Sequence, residues 1–368
     1  MLRLSIPAVL GLLGVVHATR PADPPAADVD RIFARYDRTT SPGCALGVFR
    51  NDSIIYSRGY GMADLNQGVP ITPRTVFYIA STSKQFTALA IAMLEEEGKL
   101  SVDDPVRKWV PELPAYADSI RVSNLVHHTS GIRDILGLWA LSGRSYADEI
   151  PLEAGLDLIF RQKALDFPPG SRYSYSNSGY VLLAEIVRRA SGKTLREFTT
   201  ERVFGPLGMD DTHFHDDNGM IVPRRAEGYA PAGPNRFRIV KTSFDLVGDG
   251  GLFTTIEDLA KYDRNFYANR LGAGGQRLID RITTRGKLSS GQQLTYAFGL
   301  TVDTVRGLPV VQHGGAFIGF RAQMLRYPGE HFTVAVLCNE ATAPAEQLAQ
   351  QVADLYLADR LAPRPSTT

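Results

Sequence analysis

Apolar positions change their period several times along this chain. Val29, Ile32, Phe33 and Tyr36 recur at i, i+3, i+4 and i+7, which lines one face of a helix, and Pro42-Gly43 is read as its end. Cys44–Arg50 and residues 53–59 are β-rich runs on either side of Asn51-Asp52, which predicts a hairpin. A helix is predicted to begin near Ser81 and to run through Thr87-Ala88-Leu89-Ala90-Ile91 to a stop at Gly98. Residues 104–244 have few β-branched runs and many turns, with residues 180–190 as their clearest helix. Gly250-Gly251 marks a tight turn, and Thr255-Ile256-Glu257-Asp258 resembles a capping box opening another helix. Strand patterns return at 308–312, Phe320–Tyr327 and Phe332–Cys338, the last two joined by a turn at Tyr327-Pro328-Gly329-Glu330. A final helix starts near Pro344, with Leu348, Val352, Leu355 and Tyr356 as its apolar face.

Strands at both ends with helices between them predict an α+β fold. The hairpin and three later strands give an antiparallel sheet of about five strands, flanked by the terminal helices. The expected organisation is a discontinuous α/β lobe (28–103 and 250–362) with an inserted, mostly helical lobe (104–249). Together they form one catalytic unit, 28–362, with its site in the groove between the lobes.

Composition narrows the function. Among 368 residues, 40 Lys and Arg stand against 39 Asp and Glu, and no basic run occurs, so nucleic acid is not an expected partner. Arg3, the apolar run 6–16 and Val16-His17-Ala18 fit an export signal cleaved after Ala18, so residues 1–18 are read as a signal peptide and 19–27 as a tether. The run falls short of the roughly 20 residues that span a bilayer, so no stable membrane insertion is expected. The protein is therefore expected to be periplasmic or extracellular. The two cysteines, Cys44 and Cys338, lie in predicted strands. They read either as a disulfide, which export permits, or as two buried small side chains.

Three short motifs carry chemistry. In Ser81-Thr82-Ser83-Lys84, helical spacing sets a hydroxyl beside an amine on one face. Serine is a weak nucleophile without a base in reach, and a lysine serves when its pKa is lowered. At a helix start, the Ser81 N–H is also free to face a developing oxyanion. In Tyr175-Ser176-Asn177, the phenol is placed to relay a proton, its pKa expected to fall beside the lysine ammonium. The Asn177 amide is able to donate to a substrate carbonyl and to accept from Lys84. In His313-Gly314-Gly315, two glycines at a strand end allow close approach to the backbone, and the Ala316 N–H is a candidate second oxyanion donor.

Taken together, these motifs resemble those of the serine β-lactamase and penicillin-binding protein superfamily. The likeness is strongest to the class C β-lactamase branch, which also holds D-alanyl-D-alanine carboxypeptidases, D-aminopeptidases and carboxylesterases. Phe77-Tyr78-Ile79-Ala80 before Ser81, the segment Leu125-Val126-His127-His128-Thr129-Ser130-Gly131-Ile132, and Gly250-Gly251-Leu252-Phe253-Thr254-Thr255 extend the likeness from about Ala27 to the last helix. The resemblance implies an acyl-enzyme hydrolase acting on an ester, amide or lactam carbonyl of a small molecule or short peptide. It assigns catalysis to Ser81, Lys84 and Tyr175, and substrate and oxyanion binding to Asn177, His313, Gly314, Gly315 and Ala316. It calls for no cofactor and no metal. The Lys-Thr-Gly of the superfamily is here His-Gly-Gly. That loses a permanent cation and a hydroxyl, and moves the expectation from lactams towards esters and peptides. A protein of the same fold that binds or senses penicillin or peptidoglycan fragments without efficient turnover is the alternative.

Other candidates point elsewhere. His127-His128 and His213-Phe214-His215 lack a metal-ligand spacing with a carboxylate, and His127-His128 reads as support beneath the site. Arg321, on the strand after the third motif, reads as a surface residue or as a partner for a substrate carboxylate. Oligomeric state is not legible.

Overall fold

The computed structural model describes residues 23–241 and 243–363. The expected leader, 1–18, lies outside the described residues, and the end of the expected tether is already helical, since α1 spans Ala26–Phe33. This helix stops at Phe33 rather than at Pro42-Gly43, and Tyr36 follows in a turn. Val29, Phe33 and Tyr36 are all buried.

The hairpin forms from β1 (Cys44–Arg50) and β2 (Ser53–Tyr60). Asn51 and Asp52 between them both take positive φ, 47° and 65°. A two-residue hairpin turn matched to strand twist requires this, and Asn and Asp tolerate it. Strands β3 (Thr301–Val305), β4 (Leu308–Phe317), β5 (Phe320–Tyr327) and β6 (Phe332–Cys338) complete one antiparallel sheet in the order β3-β4-β5-β6-β1-β2. The sheet thus has six strands, not five. The one overlooked, Thr-Val-Asp-Thr-Val, is a half-exposed edge strand with two apolar residues and little pattern to read. The other difference lies in β4, which runs on to Phe317, so that His313 to Ala316 lie within the strand and not beyond it.

Every residue of β1 and β6 is buried, and the two pair from Cys44↔Cys338 to Arg50↔Phe332. Strands covered on both faces read as unbroken apolar runs, as these do. On one face lie α1 and the C-terminal helix Ala345–Tyr356, which bury Val29, Phe33, Leu348 and Val352 against Leu46, Val48 and Val334. Leu355, expected on that helix's apolar face, is 37% exposed instead. Cys44 and Cys338 stand opposite each other and are joined in a disulfide, which decides between their two readings.

Helices beyond this layer position the site, and one of them, Ile256–Tyr267, packs on β1 and β6. A short 3-10 turn, Ala80–Ser83, leads into α2 (Lys84–Glu96), so Ser81 precedes the α-helix by a turn. Next come α3 (Ile135–Leu141), α4 (Asn177–Ser191) and α5 (Ile256–Tyr267). Thr255 caps α5 through the Asp258 N–H at 3.1 Å, but only half of the expected box forms. The Asp258 carboxylate turns instead to Thr212 and Lys261.

Candidate active site

Ser81, Lys84, Tyr175, Asn177 and the β4 segment from His313 to Ala316 converge from three parts of the chain. Main-sheet geometry explains how β4 reaches the serine. Strand β3 pairs only with residues 308–312 of β4, which leaves the 313–317 stretch without a neighbour on that side. The two-residue hairpin between β4 and β5 closes on Phe317↔Phe320. In such a hairpin the closing pair exchanges both backbone hydrogen bonds, so alternation turns the Ala316 N–H to the open edge. Ser81 and Ala316 line the same groove there. Gly315 makes this approach feasible, because a Cβ on it would stand 2.1 Å from the Ile79 carbonyl oxygen and 2.9 Å from Thr82 Oγ1. Ala80, just before the serine, holds φ of 47°, a strained conformation for a residue with a Cβ.

Lys84 is fully buried. Its Nζ lies 3.0 Å from Ser81 Oγ, 2.8 Å from Asn177 Oδ1 and 2.6 Å from the Asp249 carbonyl oxygen. Three acceptors suit the three N–H donors of an ammonium. They equally suit a neutral amine, which donates to the two carbonyl oxygens and accepts from the Ser81 hydroxyl. The change of protonation state needs no movement, only a reversal of one hydrogen bond. Burial pulls the Lys84 pKa below its ordinary value, with the carboxylates of Asp249 and Asp134 opposing.

Tyr175 lines the same groove as Ser81. Its ring centroid lies 4.8 Å from Lys84 Nζ and 4.2 Å from that of His128, the two ring planes tilted by 34°. Although the residue is 38% exposed, desolvation raises its pKa, and the carboxylates of Asp249 and Asp134 add to the rise, contrary to the lowering expected beside an ammonium. His128 is buried, and its Nδ1 accepts the Ser176 N–H at 3.2 Å. The segment around His127-His128 thus underlies the tyrosine loop directly.

The opening of α4 is tied down by Asp134. One carboxylate oxygen accepts the Asn177 N–H at 2.6 Å, and the other caps α3 through the Leu136 N–H at 2.9 Å. His313 is buried, with Nδ1 at 2.6 Å from its neighbour's carbonyl, Gly314 O, and Nε2 at 3.0 Å from the Tyr296 hydroxyl. Gly314 O only accepts, so Nδ1 carries the proton and the Tyr296 hydroxyl donates to Nε2. Burial and the proximity of Lys84 lower the His313 pKa to about 4, so it is neutral near pH 7.

Residues 29–357 match the beta-lactamase family. The chain belongs to the beta-lactamase family. A D-aminopeptidase of Cereibacter sphaeroides is 34% identical over 313 residues, covering 83% of this chain and 58% of that protein. Penicillin-binding protein 4* of Bacillus subtilis is 28% identical over 303 residues, 78% of this chain and 66% of its own length. The chain therefore spans less than two thirds of these curated relatives. An octameric penicillin-binding protein homologue from Pyrococcus abyssi superposes with a TM-score of 0.78 at 26% identity, over 90% of this chain and 76% of that one.

Within this beta-lactamase-family site, three contributors escaped sequence reasoning. Asp134 had a signal, as an Asp just before the apolar run of α3 reads as an N-cap. Asp249 and Tyr296 had none, since one acts through its backbone carbonyl and the other through a contact made only by folding. Arg321 lines the same groove as Ser81, half-buried, and its Nη1 donates to the Phe320 carbonyl at 2.7 Å. Nη1 also donates to the Ile318 carbonyl at 3.2 Å, and among the described residues Arg321 forms no ion pair within 4.0 Å. The rings of His213 and His215 meet each other, Nε2 to Nδ1 at 3.3 Å, away from the serine.

Proposed function

We propose that this chain is a serine hydrolase that works through an acyl-enzyme on Ser81. The observation that carries this is the Lys84 ammonium position, buried and within 3.0 Å of Ser81 Oγ with two carbonyl acceptors behind it. Neutral Lys84 takes the Ser81 proton as Oγ attacks the substrate carbonyl. The N–H groups of Ser81 and Ala316 receive the oxyanion. Tyr175, kept protonated by its raised pKa, gives its proton to the leaving group and regains one from Lys84. Water then attacks the acyl carbonyl. Its proton passes to Lys84, the acid departs, and Ser81 Oγ is reprotonated.

Asn177 holds Lys84 and offers its amide to the substrate. His313, Gly314 and Gly315 form the wall along which the substrate lies. The neutral His313 and the bare Gly314 favour esters and amides over lactams. Small molecules and short peptides fit a groove of about 460 Å³ lined by Ser81, Tyr175 and Arg321. The name of the D-aminopeptidase relative supports peptide substrates. The lobes 28–103 with 250–362, and 104–249, are proposed to meet at this groove. Export with a cleaved leader is proposed too, supported by the Cys44–Cys338 bridge, since such bonds persist in oxidising compartments.

Intact-mass measurement after parallel exposure to an activated ester, a penicillin and a D-alanyl peptide tests the reading. A transient adduct on Ser81, absent in Ser81→Ala, is expected with the ester or peptide. No adduct with any of the three refutes it, and an adduct that never decays assigns binding without turnover.

A further inference from the structure

The unpaired edge of β4 ends at a strained turn. Ile318 and Gly319 join β4 to β5, and Ile318 holds φ of 43°. A two-residue hairpin turn takes positive φ at its first position, where glycine is the unstrained choice and a β-branched residue is an outlier. The reverse order, glycine before isoleucine, is blocked, because a Cβ at 319 would stand 2.7 Å from the Tyr229 backbone nitrogen. The turn thus carries a side chain that its backbone disfavours, and strain of this kind concentrates at ligand sites.

Ile318 borders a second, mainly apolar groove of about 850 Å³, together with Tyr146, Ala147, Ala230, Ile239 and Val240. Tyr146 and Ile239 are each 39% exposed, which leaves apolar surface for an occupant to cover. Arg238 and Lys241 also border it, without an ion-pair partner within 4.0 Å among the described residues, so a cationic occupant is disfavoured.

We propose that this groove receives the far end of an extended apolar acyl group, so that the site takes esters and amides of medium-chain aliphatic acids. This rests on the reading of Ser81 as the acylated group.

Continuity with the serine supports it. A smaller cavity of about 160 Å³ at Ser81 is lined by Leu136, Phe244 and Phe317. Tyr146 links that cavity to the groove. Its ring centroid lies 6.2 Å from that of Phe317, and its hydroxyl donates to the Leu136 carbonyl at 3.0 Å. With the oxyanion at the Ala316 N–H, one half of a substrate beside β4 runs towards His313 and the other towards Phe317 and Ile318. Two residues of strand span about 7 Å. An octanoyl chain covers that distance, and an acetyl group does not. Turnover assigns the halves. The leaving group departs while the acyl group stays on Ser81, so the wider groove beside His313 and Arg321, about 460 Å³, suits the departing half and the smaller cavity suits the half that stays.

The test compares p-nitrophenyl acetate, butyrate and octanoate, all below their solubility limits. A buried methylene is worth about fourfold, so octanoate is expected to exceed butyrate by about tenfold or more in kcat/KM. Ile318→Gly removes the side chain at a position whose backbone suits glycine, so the fold is kept. Ile239→Ser trims the groove from a separate strand, Phe237–Ile239. Each is expected to cut the octanoate-to-acetate ratio by about fivefold or more, whatever its absolute rate. Butyl acetate and octyl acetate put the chain on the alcohol instead, and no gain with length is expected there. Equal rates on butyrate and octanoate, a ratio kept in either variant, or a gain carried by octyl acetate overturns the proposal. Acetylation of Ser81 by p-nitrophenyl acetate, followed by mass, reports separately on the serine. If it occurs without a chain-length preference, only the groove assignment fails; if it does not occur, the acyl-enzyme reading fails as well.

Discussion

The hydroxyl of Tyr296 stands 3.0 Å from Nε2 of His313. With Nδ1 committed to Gly314 O, this pair fixes the histidine as a neutral ring at the centre of the β4 wall. His313 and His128 are buried and the nearby His127 is partly so, and desolvation pulls all three pKa values down, to about 4 for His127 and His313. A histidine whose folded pKa lies below its unfolded value near 6.5 binds protons more readily when unfolded. Its contribution to stability is therefore complete above pH 6.5 and is lost as pH falls from 6.5 through 4. The urea midpoint is expected to fall steeply over that interval. A midpoint unchanged between pH 7 and pH 5 contradicts the buried neutral rings.

Tyr296→Phe strips His313 Nε2 of its donor and leaves a buried acceptor unsatisfied. The expected loss is about 1–3 kcal/mol of stability. Denaturant unfolding of the variant measures it, and a wild-type midpoint would contradict the hydrogen bond.

The rate of acylation should rise with pH as Lys84 loses its proton, along a limb centred below the ordinary lysine value near 10.4. The charged groups facing Nζ are the carboxylates of Asp249 and Asp134, both of which hold the proton on. The neighbouring His128 and His313 are neutral, and the Tyr175 phenol is protonated. Removing one negative charge in Asp249→Asn therefore lowers the Lys84 pKa and moves the limb to lower pH. Profiles of kcat/KM against pH with p-nitrophenyl propionate decide the sign. A shift to higher pH would rule out Lys84 as the titrating base.

Lys84→Ala and Tyr175→Phe are each expected to slow acylation by about a hundredfold or more, the usual scale for a positioned acid or base. Burst kinetics with the same ester measure the step. A near-normal burst in either variant removes that residue from the mechanism.

Gly315→Ala drives a Cβ into the Ile79 carbonyl, backbone against backbone, whereas a Cβ at Gly314 meets first the side-chain Gln323 Oε1, at 2.7 Å. The first is expected to cost about 1–3 kcal/mol and most of the turnover. At Gly314 the same change is expected to be far milder, because a side-chain amide is able to swing aside. Thermal unfolding and ester turnover of the two variants, compared side by side, check the contrast.

Much of this was legible in the chain because local chemistry repeats it. Ser81 and Lys84 sit three residues apart, a spacing that any helical turn converts into a contact. Asn51-Asp52 announces its turn, and the runs at Phe320–Tyr327 and Phe332–Cys338 match the observed strands. What was not legible depends on distant partners. Nothing in Thr301–Val305 marks it as a strand without the neighbouring β4 to pair with. The direction of the Tyr175 pKa turned on desolvation and on the carboxylates of Asp249 and Asp134, which a sequence does not display. Asp249 and Tyr296 matter through where the fold puts them. Even Arg321 reads differently once its strand is known to border the groove.

The first strand of the sheet lies against the last, and 294 residues separate Cys44 from Cys338. A ribosome that stops anywhere before Phe332 thus releases a product whose sheet is missing a central member, with the apolar side of β1 uncovered. Long-range pairing of this kind postpones assembly until synthesis is nearly finished. The reactive serine is consequently an all-or-nothing asset: no fragment that ends early has a seat for it.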